Sequence, residues 1–213
     1  MESLNQQMLK AAMQGDLDAV RTLVSQGADI NYRDKWSNTA IFSAAWNGNV
    51  KALETFYDLG ANLDLGDANL LCNAAFNAQV ESVKWLMQKG EDSNYTLKET
   101  GENALHYVIS QTNNMDARTE IVKLLVNSGT DVNKRTIPGR VTLCFMRDAF
   151  LKGEVPLHRA AAYGDEAMIN ALLEGGADPS TKDKNGDTPI SWGSWHLRPS
   201  SVLRLLVYGD VTI

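Results

Sequence analysis

The chain has 213 residues, 44% of them hydrophobic and 22% charged, enough to bury a core and too apolar for a disordered polypeptide. Its formal charge of −6 argues against a global basic field that would draw it to nucleic acid or to anionic lipid. Two cysteines, Cys72 and Cys144, are too few for a disulfide framework or a four-ligand zinc site and fit a reducing compartment. The opening MESLNQQMLKAAMQGD has no basic and apolar leader pattern, and no window reaches the length of a membrane span. A cytoplasmic protein is expected.

In chain order, short alanine-rich helices alternate with longer amphipathic ones. LKAAMQG is followed by LDAVRTLVSQ, CNAAFNA by VESVKWLMQK, HYVISQT by EIVKLLVNS and HRAAAYG by AMINALLEG; FSAAWNG and SWGSWHL are further members of the first type. Apolar residues in the second type fall at i, i+3 and i+4, the helical period. After each second helix comes a short segment led by a glycine: QGADIN at 26–31, LGANLD at 59–64, KGEDSN at 89–94, SGTDVN at 128–133, GGADPS at 175–180 and YGDVTI at 208–213. The glycines are Gly27, Gly60, Gly90, Gly129, Gly176 and Gly209, at spacings of 33, 30, 39, 47 and 33. A glycine there suits a helix C-terminus that must turn through the left-handed region. Paired alanines suit a helix approached closely on two sides.

These features, with TPI at 188–190, PLHRAA at 156–161, ALHYV at 104–108 and LLEGGAD at 172–178, resemble the ankyrin repeat, which has a 33-residue period and a TPLHxA signature. The resemblance covers essentially the whole chain. It implies an all-α solenoid of about six helix-turn-helix units with β-turn fingers, in one repeat domain of units roughly 1–32, 33–65, 66–95, 96–134, 135–181 and 182–213. It also implies structural roles for His106 and His158, each bonding across to the adjoining turn. Three departures stand out. Unit 3 has a turn three residues short. Unit 4 carries about six extra residues around SQTNNMDARTE, expected between its two helices. Unit 5 carries about fourteen extra residues in RTIPGRVTLCFMRDAFLKGE, residues 135–154.

No phosphate loop, HExxH, GxSxG or metal-spaced Cys/His cluster occurs, so neither a cofactor nor catalysis is expected. Asp178, Asp183 and Asp187 read as turn closers. The resembled fold presents the residues after each alanine pair to a concave groove. Those pairs are Met13/Gln14, Trp46/Asn47, Phe76/Asn77, Ser110/Gln111, Ala162/Tyr163 and Trp195/His196. Aromatic residues are 8% of the chain, yet four of the six pairs contain one. They read as interface anchors, or as rings packed sideways within the stack. Finger residues extend the face: Lys35, Trp36 and Asn38, Glu99 and Glu102, and Lys184, Asn185 and Asp187. The insertion, with Arg135, Arg140, Arg147 and Lys152 against Asp148, reads either as an elongated recognition finger or as an apolar lid with its arginines in water.

The expectation is a non-enzymatic module that binds another protein, monomeric on its own, with no nucleic acid or membrane partner. With no effector domain expected before or after the repeats, it would work by occupying its partner, as an inhibitor, immunity or effector-type protein. The alternatives are an enzyme improvised around His196, Asp148 and Cys144, or a nucleic-acid binder using the basic insertion 135–152.

Overall fold

The structure is a computed structural model that describes residues 2–66, 68–142 and 153–208. It is all-α: twelve helices and no β-strand among the described residues. They fall in consecutive pairs, α1 (Leu4–Gln14) with α2 (Leu17–Ser25), α3 (Ala40–Trp46) with α4 (Val50–Asp58), and α5 (Leu70–Phe76) with α6 (Val80–Gln88). The remaining pairs are α7 (Ala104–Val108) with α8 (Met115–Asn127), α9 (Pro156–Tyr163) with α10 (Glu166–Glu174), and α11 (Pro189–Trp195) with α12 (Ser200–Tyr208). The chain forms two compact bodies, Met1–Glu91 and Asp92–Ile213.

First helices start where a side chain can satisfy an orphan backbone donor. Ser3, Thr39, Asn69 and Asn103 each accept the N–H three residues on, and Pro156 and Pro189 occupy the first turn, where no donor is needed. Second helices end as the glycines require. Gly27, Gly60, Gly90, Gly129 and Gly176 have φ between 84° and 100°. Gly209 lies outside the described residues.

Within the N-terminal body α1, α3 and α5 pack side by side and α4 lies against α6. In the C-terminal body α9 packs between α7 and α11, while α10 lies between α8 and α12. The alanine pairs Ala11/Ala12, Ala44/Ala45, Ala74/Ala75 and Ala160/Ala161 are buried at these contacts.

A bidentate asparagine joins successive repeats. Asn31 donates to Gly60 O at 3.0 Å and accepts from Asn62 N at 2.7 Å. Asn94 makes the same two bonds with Gly129 O and Asp131 N, and Asn133 with Gly176 O and Asp178 N. Each uses the αL turn of one repeat as the docking point for the turn of the repeat before it.

The extra residues of repeat 4 are only partly loop. α8 begins at Met115, so several of them lengthen the second helix, and buried Arg118 reaches back to Val108 O at 2.7 Å and to Asn113 O at 2.6 Å. Burial pulls its guanidinium down to about 10.

Candidate functional site

In the N-terminal body the last turns of the first helices carry Met13, Trp46 and Phe76. Met13 is 53% exposed, Trp46 39%, and Phe76 is half-buried. The rings are also in contact: Trp46 lies 5.7 Å from Phe42 and 6.2 Å from Phe76, centre to centre. These aromatics therefore pack sideways and face solvent at once. Asn47, exposed, and Asn77, half-buried, each donate the side-chain amide to a carbonyl of their own helix four residues back, Ser43 O at 2.9 Å and Asn73 O at 3.1 Å.

Trp36 projects from the 33–38 finger at 71% exposure. The finger is closed by Asp34, which accepts from Trp36 N, Asn38 N and Asn38 Nδ2 at 2.8–2.9 Å and leaves Ser37 in the left-handed region. Lys35 Nζ sits 4.1 Å over the Trp36 ring.

In the C-terminal body the Tyr163 and His196 rings meet at 4.9 Å, tilted by 58°, both half-buried, and Trp195 is 54% exposed. Gln111 is half-buried. Ser110 and Ala162, expected at the groove, are buried: Ser110 Oγ donates to His106 O at 2.7 Å, and Ala162 packs with Trp192. Leu197, 91% exposed, adopts φ +52°, at a turn position that Gly15, Gly48 and Ala78 fill in other repeats.

Two finger readings change. Glu102 is fully buried, because a cation from the next repeat lies over it, and Asn38 is spent on closing its own turn. Asp183 is buried as a turn closer, accepting from Asn185 N, Asp187 N and Trp192 Nε1.

The partner of Glu102 is Arg159, itself fully buried, with Nη2 2.8 Å from Glu102 Oε1 and 2.6 Å from Glu154 Oε1. Its Nη1 donates to His106 O at 2.9 Å and to Ser110 Oγ at 3.1 Å. Thr136 ties the far side of Glu154 through Oγ1 to Oε2 at 2.8 Å, and through its backbone N–H to Glu154 O at 2.9 Å. Sequence reasoning missed this centre. The signal available was an arginine in the alanine-rich helix with glutamates at 102 and 154, each just before a PLH-like start.

The same centre acts on His106. Burial, then the Arg159 charge, hold the His106 imidazole well below its ordinary 6.5. Burial also lowers His158, whose Nε2 lies 3.0 Å from Asp187 O, the bond to the adjoining turn that the family resemblance implied.

The insertion leaves and returns at one place. Besides the Thr136–Glu154 bonds, Ile137 N donates to Thr100 O at 2.7 Å, and Arg135 Nη1 donates to Lys182 O at 2.7 Å and Gly153 O at 3.2 Å. Arg140 is exposed. Cys144, Arg147, Asp148 and Lys152 lie outside the described residues. Among the described residues no three metal-capable side chains converge, and no helix is long and apolar enough to cross a membrane.

Profiles of the family described as "Ankyrin repeats" match residues 8–56 and 157–207 (many copies) and 66–136 (3 copies). The chain is 26% identical over 204 residues to the human mitochondrial disaggregase, covering 93% of itself but only 25% of that protein. It spans about a quarter of the length of such relatives. The ankyrin repeat protein YahD of Escherichia coli (strain K12) is 25% identical over 185 residues, 85% of each chain. Among solved structures, a chain from the complex of a Bdellovibrio bacteriovorus predatory endopeptidase with an immunity protein superposes with TM-score 0.70 at 23% identity, covering 93% of this chain and 96% of that one. Helix pairs, αL glycines, buried alanine pairs and matching profiles agree: the chain belongs to the ankyrin-repeat family, and its fold is the all-α ankyrin solenoid.

Proposed function

We propose that this protein is a non-enzymatic binding module that occupies the surface of one protein partner, in the manner of an immunity protein masking an enzyme. The observation that carries it is the set of large apolar side chains left in solvent at the groove and finger positions: Met13, Trp36, Trp46 and Trp195. A fold able to bury Trp192 and Phe56 completely has no folding reason to expose these. The likeness to a chain from an endopeptidase–immunity complex supports the choice of an enzyme as the partner.

The test starts with affinity purification from the native host, then measures the recovered partner by calorimetry. Trp46→Ala with Tyr163→Ala is expected to weaken binding by about 2–4 kcal/mol, the range of strong anchors, while the folded state persists. A stoichiometric fall in the partner's catalytic rate on adding the chain supports the masking role. Unchanged affinity beside a collapsed unfolding midpoint assigns both rings to the stack and overturns the groove reading.

A further inference from the structure

The cleft between α1 and the 33–38 finger has a volume of about 630 Å³ and is walled by Leu9, Met13, Tyr32 and Trp36. Met13 also borders a second hollow of about 490 Å³, walled by Phe42 and Trp46. Both volumes lie in the range of sites that enclose several side chains or a small ligand. The rim charges sum to zero, Lys10 and Lys35 against Glu2 and Asp34. Lys10 Nζ lies 3.9 Å from the Glu2 carboxylate, Lys35 covers the Trp36 ring, and the Asp34 carboxylate is consumed by three N–H donors of its own turn.

We propose that this double hollow receives a neutral apolar segment of the protein partner, presenting two neighbouring large hydrophobic side chains with no charge between them. The proposal rests on the protein-binding reading above and names the chemistry of one part of that surface. A charged guest would lose water against a rim with no net charge to attract it, so its desolvation would be poorly compensated. A nucleic acid would find two cations offset by two carboxylates, where several unopposed cations are needed. An apolar guest removes Met13, Trp36 and Trp46 from water together. The walls are set beforehand, one a capped helix and the other a turn locked by Asp34, so little ordering entropy is lost on binding.

The probe is a set of acetylated, amidated hexapeptides titrated into the full chain and followed by proton–nitrogen correlation spectra, in which the tryptophan indole N–H groups report directly. Gly-Ser-Leu-Phe-Ser-Gly is expected to shift the Trp36 and Trp46 indole signals saturably. Replacing its Leu-Phe by Ser-Ser should abolish the shift, and replacing Leu by Glu or Lys should weaken binding about tenfold, the scale of one lost anchor contact. Affinity should hold or rise from 0.1 M to 1 M salt, where screening contracts from about 10 Å to about 3 Å. Met13→Ala with Trp36→Ala should remove the shift of the Trp46 indole signal while the remaining spectrum stays that of the folded chain. Equal or tighter binding of the Glu or Lys peptide, or an unchanged Trp46 indole shift in the double variant, overturns the proposal. Shifts confined to signals of residues 92–208 also overturn it but leave the protein-binding reading standing. No shift with any peptide overturns the cleft alone, since the groove variants test the wider reading separately.

Discussion

Single residues show two different reasons for a glycine. Gly60 has φ +91° and a Cβ there would meet nothing within 4 Å, so Gly60→Ala isolates the backbone term and is expected to cost about 1 kcal/mol. Gly48, at φ +72°, would set its Cβ 2.2 Å from Gln79 Oε1, whose amide donates to Trp46 O at 3.3 Å. Gly48→Ala should cost more, and adding Gln79→Ala should recover most of the difference. Urea unfolding of the three variants decides it; equal costs at Gly48 and Gly60 would show that Gln79 moves aside freely. His106 and His158 make a second residue-scale prediction. Above their ordinary 6.5 both are neutral folded and unfolded, so pH has no leverage through them. Below it the unfolded chain takes protons that the folded chain refuses. Stability should therefore fall with pH below 6.5 by up to about 1.4 kcal/mol per unit per histidine until the folded groups titrate. His106→Gln should flatten that slope in urea midpoints measured between pH 7.5 and 5, and an unchanged slope would assign the acid sensitivity elsewhere.

Between elements, stability is concentrated in contacts that link one repeat to the next. Arg159 holds Glu102 and Glu154 together inside the C-terminal body, and the two carboxylates would face each other unpaired without it. Arg159→Leu should destabilise by about 3–5 kcal/mol, whereas replacing all three residues with apolar ones of similar volume should cost far less. Chemical denaturation of both variants separates an electrostatic lock from mere packing: if the triple replacement is as damaging as the single one, volume and not charge decides. What could be read in the sequence follows the same division. Helix caps, αL glycines and alanine pairs are local, so their residue types reveal them. The Arg159 bond to His106 spans 53 positions and the Asn133 bond to Gly176 spans 43. Such partners become neighbours only once the repeats stack, which is why Glu102 read as a finger tip. Of the groove and finger residues, the exposure of Trp36 and Trp46 followed from position. The folding back of the Asn47 and Asn77 amides onto their own helices did not, because a short amide competes for its own helix carbonyls.

At the scale of the molecule, a stacked array tolerates added length wherever the chain leaves and re-enters at one point, and the insertion of repeat 5 does so. Thr136 and Glu154 are joined by two hydrogen bonds, so the residues between them close a loop whose ends are already in contact. Shortening a loop from about sixteen residues to about four changes its closure entropy by only about 1 kcal/mol, in favour of the folded state. Replacing residues 138–152 with a short Gly-Ser turn, keeping Thr136, Ile137 and Gly153, is therefore expected to leave the fold intact and the unfolding midpoint equal or slightly raised. Binding discriminates between the two roles the sequence leaves open. As a recognition finger the insertion would be missed by the partner, with affinity falling at least tenfold while stability holds. As a lid over apolar surface, its removal would raise the fluorescence of a hydrophobic dye and promote aggregation. We expect the first outcome to dominate, because Arg135 is already spent on carbonyl oxygens at the base and Arg140 stands in solvent. A shortened chain that binds its partner at full strength without taking up dye would remove the insertion from recognition and leave the groove aromatics and the Trp36 finger to carry it.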